Sequence, residues 1–153
     1  MSKLIMMMGV PGCGKSTWIK NHMAGTDEWI SRDTIRFALL KEGEDYFAHE
    51  TEVFDVFVDK IAYALKVGLT VWADATHLNK KSRAKVLDKV RKFADEVEIV
   101  WINPPLEIAI EQNDKREGRA WVKHGIIRRM WFSIEKPRKE EGFDKITIIG
   151  EED

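Results

Sequence analysis

Cysteine is almost absent: the 153 residues hold a single one, Cys13. A lone thiol closes no intrachain disulfide, which excludes a disulfide scaffold and predicts a reducing compartment, the cytoplasm. Long apolar runs are missing as well. The run Leu4-Ile5-Met6-Met7-Met8 falls far short of the roughly 20 residues that cross a bilayer. A glycine-rich loop follows it instead of a small-residue cleavage site, so neither a signal peptide nor a membrane partner is expected. Histidine is sparse, and His22, His49, His77 and His124 show no metal-ligand spacing, so a zinc site is not expected. Charge of one sign is also lacking. The net charge of −1 removes any whole-molecule attraction to nucleic acid, so a polyanion must be held by a local patch.

What is present fits a soluble globular protein: 44% hydrophobic and 33% charged residues, which excludes disorder and collagen-like repeats. A chain of this length buries about 68–70% of its unfolded surface. No repeat or linker divides it, so residues 1–153 are expected to form a single domain. Charge is uneven along it. Residues 26–59 carry ten acidic groups against three basic ones. Residues 79–92 carry seven basic groups against Asp88, read as a solvated helix face. Residues 113–139 carry nine basic groups against three acidic ones, a more suggestive excess because arginines crowd a helix end. The acidic end, Gly150-Glu151-Glu152-Asp153, is expected to be solvated.

Hydrophobic pattern predicts an alternation of strands and helices. Residues 4–8 are continuously apolar, as a strand covered on both faces must be. A helix follows from Lys15, with Gly25 placed to end it. Trp29-Ile30 is a short strand. Ser31 caps a helix over 34–40, and Phe54, Phe57, Ile61 and Leu65 set an apolar stripe on a long helix over 47–67. Strands are expected at 69–73, 97–102 and 146–149. Asn79 caps a basic helix to about residue 93, Pro104-Pro105 opens another, and residues 121–134 form one more. This pattern argues for an α/β fold, a five-stranded, mainly parallel sheet with helices on both faces.

The sharpest motif lies between the first strand and helix. Gly9-Val10-Pro11-Gly12-Cys13-Gly14-Lys15-Ser16 matches the phosphate-loop pattern in full and in the strand-to-helix context that confirms it. Glycines let several amide N–H groups turn inward toward a polyphosphate, and the positive end of the helix lies there too. Gly9, Gly12, Cys13, Gly14, Lys15, Ser16 and Thr17 are therefore candidates to bind ATP. Lys15 reaches the outer phosphates, and Ser16 offers a hydroxyl to Mg²⁺. Cys13 is read as a small residue that fits the loop. Further on, Asp33 and Arg36 stand three residues apart on one helical face. A carboxylate there can accept a proton from an attacking hydroxyl, and a guanidinium can hold an acceptor phosphate by two parallel bonds. Helix capping and an ion pair explain the same two residues.

These elements, joined by Ala73-Asp74-Ala75-Thr76-His77-Leu78-Asn79, resemble the kinase module of the phage-type polynucleotide 5′-hydroxyl kinases, over residues 3–135. The resemblance implies a P-loop NTPase fold with a helical lid over about 113–134. It implies Asp33 as general base toward a 5′-hydroxyl, with Arg36 on the phosphate next to the terminal nucleoside. It makes Arg116, in Asn113-Asp114-Lys115-Arg116, the arginine that stabilises the transferring group, with Arg119 a second candidate because Glu117 blurs the match. Asp74 is placed to touch Mg²⁺ or to position Arg36, and Thr76 to shape the acceptor groove. Trp121 and Trp131 flank the lid; packing is the expectation for Trp131, and for the strand residues Trp72 and Trp101. The implied activity is ATP-dependent phosphorylation of a 5′-hydroxyl end of DNA or RNA, with a short footprint and with separate repair or ligation enzymes as partners. The alternatives are a small-molecule kinase acting on a nucleoside, sugar or nucleotide-sugar, and a non-catalytic nucleotide-binding module.

Overall fold

The computed structural model describes residues 1–150; Glu151, Glu152 and Asp153, most of the expected solvated tail, lie outside them. The elements run β1 (Lys3–Met8), α1 (Lys15–His22), β2 (Glu28–Ser31), α2 (Arg32–Leu39), α3 (Glu50–Lys66) and β3 (Thr70–Asp74). Then come α4 (Lys80–Val90), β4 (Glu96–Asn103), α5 (Leu106–Asn113), α6 (His124–Phe132) and β5 (Lys145–Gly150). The five strands lie in the order β2-β3-β1-β4-β5. Every pairing is parallel, so the sheet has no antiparallel member.

β1 shows why a continuous apolar run was needed. Successive side chains point to opposite faces. Leu4, Met6 and Met8 enter one core with Phe57 and Ile61 of α3 and Val86 of α4. Ile5 and Met7 enter the other with Ile19 of α1, Ala109 of α5 and Ile127 of α6. Truncating a fully buried side chain such as Phe57 would cost about 3–5 kcal/mol. Because β3 and β4 flank β1 on opposite sides, the connections diverge at its carboxyl end. That divergence opens a crevice where ligands bind in sheets of this type.

Local chemistry sets the helix starts. Ser31 Oγ accepts from Thr34 N–H at 3.2 Å, so Ser31 caps α2. Asn79 caps α4 through a reciprocal capping box with Ser82. The long helix begins at Glu50, three residues later than its apolar pattern, and α6 begins at His124 rather than 121. The reading of residues 79–92 as a solvated face needs one correction. Arg83 is fully buried. Its guanidinium pairs with both carboxylate oxygens of Glu141, at 2.8 and 3.1 Å, and donates to the His77 carbonyl at 3.0 Å. A buried charge is tolerated only when paired in this way.

Candidate active site

Backbone geometry builds the first half of the site. Gly12 has φ of 84° and Gly14 of 109°, in the left-handed region that side chains avoid. Space is as strict as conformation. A Cβ on Gly12 would lie 2.4 Å from the Ala109 carbonyl oxygen, and one on Gly9 2.4 Å from Cys13 Sγ. Cys13 is buried beneath that turn, the small packed residue expected. The Gly9 N–H donates to the Thr76 carbonyl at 3.0 Å, joining the loop to the segment after β3. No side chain caps α1, so its first-turn N–H groups and its positive end stay available to an anion. Lys15 Nζ lies across the loop, 2.8 Å from the Gly9 carbonyl and 3.3 Å from that of Val10. Such a nest of inward amides with a lysine is a cradle for polyphosphate.

Ser16 and Asp74 line one cleft of about 780 Å³, together with Ser31 and Thr34. Asp74 ends β3 opposite Ser31. Its Oδ2 accepts from Trp29 Nε1–H at 3.0 Å, which orients the carboxylate. A hydroxyl and a carboxylate oxygen in one cleft are hard donors of the kind Mg²⁺ takes while keeping waters.

Side chains build the second half. Arg36 is only 5% exposed. Its Nε and Nη2 donate to the two oxygens of Glu50, each at 2.8 Å. Its Nη1 donates to Asp33 Oδ1 and, at 2.8 Å, to Tyr46 Oη. Tyr46 Oη–H donates in turn to Asp33 Oδ1 at 2.7 Å, and the Arg36 guanidinium lies 4.3 Å from the Tyr46 ring centre. Burial pushes the Tyr46 hydroxyl up, and the Asp33 carboxylate adds to it, so Tyr46 stays a donor. Burial works against the Arg36 charge, but Glu50, Tyr46 and Asp33 outweigh it and lift that group above its ordinary value. Asp33 is therefore held by one oxygen, while Oδ2 accepts from no described residue. Its side chain remains half exposed. Asp33 and Arg36 do meet, as their spacing predicts, but the pair is not a surface one and Asp33 is not the cap. Tyr46 and Glu50 escaped the sequence reading. No helical spacing links them to Arg36, ten and fourteen residues away.

His77 sits between the two halves with φ of 45°. Its Nδ1–H donates to the Met7 carbonyl at 2.6 Å. Burial, opposed by that bond but aided by the charges of Arg32, Lys15 and Arg83, pushes the imidazole down to about 4. It is neutral at physiological pH and ties the 75–79 segment to the end of β1.

The lid residues stand apart from this cluster. Arg116 donates from Nη1 to the Ala120 carbonyl at 3.2 Å, and Arg119 from Nη1 to the Phe37 carbonyl, also at 3.2 Å. Arg116 lies in the irregular stretch after α5, and Arg119 on a single 3-10 turn, Gly118–Ala120. Buried Asn113 closes that turn: its Nδ2 donates to the Val122 carbonyl at 2.7 Å and its Oδ1 accepts from Val122 N–H at 3.1 Å. Trp131 packs against the second core, where Ile127 is fully buried; Trp121 is 43% exposed. Among the described residues no helix is long and apolar enough to cross a membrane.

Sheet order, phosphate loop and flanking helices together define a nucleotide-binding P-loop domain of the kinase type, and the chain belongs to the AAA domain family, whose profile matches residues 4–137. Solved structures share the fold. A chain of the Pnkp1/Rnl/Hen1 RNA repair complex aligns with a TM-score of 0.74 at 22% identity, over 86% of this chain and 43% of that one. This protein thus spans less than half of that chain. Kti12 of Chaetomium thermophilum, solved with ADP-AlF3, aligns at 0.66 and 16% identity over 98% and 90% of the two chains. A gluconokinase from Sinorhizobium meliloti 1021 aligns at 0.66 and 16% identity over 99% and 83%.

Proposed function

We propose that this protein transfers the γ-phosphoryl group of ATP to a 5′-hydroxyl end of DNA or RNA. The observation that carries the reading is Asp33. Arg36 and Tyr46 hold one of its oxygens, the other accepts from no described residue, and its neighbours Ser31 and Thr34 line the cleft shared by Ser16 and Asp74. The likeness to a chain of an RNA repair complex supports a nucleic-acid acceptor and separate repair or ligation enzymes as partners.

In this reading the phosphate loop and Lys15 bind the triphosphate. Asp33 Oδ2 accepts the proton of the attacking hydroxyl as its oxygen bonds to the γ-phosphorus and the bond to the bridging oxygen breaks, leaving ADP. Arg36 spends most of its donors on Glu50, Tyr46 and Asp33. It therefore positions the base and keeps one N–H for the phosphate beside the terminal nucleoside. Arg116, with Arg119 behind it, reaches the phosphates when the turn around Gly118 folds inward. Thr76 borders the acceptor. Ser16 and Asp74 would hold Mg²⁺, which would offset negative charge on the transferring group. Because such transition states are loose, positioning and charge matter more than base strength.

The test is transfer of γ-labelled phosphate with Mg²⁺ to a 5′-hydroxyl oligonucleotide, a nucleoside 3′-monophosphate, and a panel of nucleosides and sugars, with Lys15→Ala as control. Labelling of the first two, lost in the control, is the expected result. Labelling of a sugar or nucleoside alone would overturn the roles given to Asp33 and Arg36 and favour a small-molecule kinase. Nucleotide binding with no transfer to any acceptor would favour a sensing module.

A further inference from the structure

A second groove, of about 730 Å³, runs between the start of α3 and the length of α4. Its volume is that of a pocket for a small ligand or a chain segment, too little for a duplex. Lys81, Lys85 and Lys89 line it. They recur every four residues, so their ammonium groups follow one another along a single helix face at steps of about 6 Å. All three are exposed, and none forms an ion pair with any described residue. Arg32 lines the end of the groove nearest α2. Its Nε is buried without a partner, and among the described residues its ion pair is a loose one, 3.5 Å from Glu50 Oε1. Two carboxylates also line the groove, Glu50 and Asp88. Glu50 is already held by both edges of Arg36, which leaves Asp88 as the one uncompensated acid against four cations.

The position of this groove matters as much as its charge. Arg32 and Arg36 share Glu50, so the groove opens directly beside the Asp33 cluster. Asn79 and Ser82 line it too, and they lie at the end of the same segment that carries Thr76. Basic groups spaced along a groove that starts at an acceptor site are what a strand leading away from that site requires. A sugar or nucleoside acceptor would leave them without purpose.

We propose that this groove is a docking track for the single strand downstream of the phosphorylated end, with Arg32 on the first phosphate beyond Arg36 and Lys81, Lys85 and Lys89 on those that follow. This rests on the polynucleotide reading and extends its short footprint by about four nucleotides.

The experiment compares kcat/KM for a 5′-hydroxyl 12-mer and for a nucleoside 3′-monophosphate, in the native protein and in a Lys81→Ala/Lys85→Ala/Lys89→Ala variant. The native protein should prefer the 12-mer, and the triple variant should lose about tenfold or more of that preference. The slope of log KM for the 12-mer against log salt should fall by about 2, since each phosphate contact on a single strand contributes about 0.7. A Lys20→Ala/Lys136→Ala/Lys139→Ala variant, with the same loss of charge elsewhere on the surface, should keep both the ratio and the slope. Equal use of the two acceptors by the native protein, or an unchanged ratio in the groove variant, would overturn the track while leaving the polynucleotide reading intact. No labelling of either acceptor would overturn that reading and the track with it.

Discussion

The two halves of the site are built from different material. On the nucleotide side, contiguous residues 9–16 form a cradle from backbone amides, glycine conformations and one lysine. On the side proposed for the acceptor, Asp33 and Arg36 come from α2, Tyr46 from the connection that follows, and Glu50 from the first turn of α3. Backbone cradles tolerate little change, because Gly9 and Gly12 are required both by φ and by space and Gly14 by φ. Side-chain clusters tolerate more, because a lost partner leaves the others in place at reduced precision. The fold reflects this division: the nucleotide loop is clamped between β1, α5 and the 75–79 segment, whereas the acceptor cluster hangs on one edge of the sheet.

The largest expected effect breaks the nucleotide half. Lys15→Ala should lower phosphoryl transfer by about 1,000-fold or more, since it removes a charge aimed at the transferring group, and radiolabel transfer measures it directly. Asp33→Asn should come next, lowering kcat by about 100- to 1,000-fold while ATP affinity by calorimetry stays within about twofold. Equal damage to both quantities would erase the separation between the halves. Glu50→Gln should cost about tenfold in kcat, because Arg36 would lose a charged partner and hold Asp33 less firmly. Tyr46→Phe should cost less, about two- to fivefold, since Arg36 still holds the same oxygen.

His77 sharpens the comparison from the side of stability. Its folded value, about 4, lies below the ordinary 6.5, so the unfolded chain takes up the proton first. The stability it contributes is complete above about pH 6.5 and is lost as pH falls toward 4, by up to about 3 kcal/mol. Urea midpoints measured at pH 7 and at pH 4.5 should show this loss in the native protein and a smaller one in His77→Gln. Because His77 anchors the 75–79 segment to β1, and that segment's Thr76 carbonyl accepts from the Gly9 N–H, ATP affinity should weaken over the same window.

Much of this molecule was legible because it is local. A phosphate loop is written in eight consecutive residues, and the strands around it announce themselves by continuous apolar runs. Capping by Ser31 and Asn79 needs only neighbours along the chain. Arg83 shows where local reading stops. By helical spacing it belongs with the other basic residues of 79–92, yet it is buried and paired with Glu141, fifty-eight residues away. Arg116 and Arg119 show the same limit: composition marked the basic segment, but only the fold placed one in an irregular stretch and the other on a 3-10 turn, with Asn113 closing the loop onto Val122.

The sequence by itself determined the nucleotide cradle, the parallel α/β sheet and the proximity of Asp33 to Arg36, since each depends on residues within a turn or two of one another or on a periodicity of 2 or 3.6. Tertiary structure alone decided that Tyr46 and Glu50 complete the Asp33 cluster, that Arg83 is buried against Glu141, and that Arg32 meets the lysines of α4 across one groove. Those pairings cross between elements, and no spacing along a chain records which faces will meet once two cores have closed.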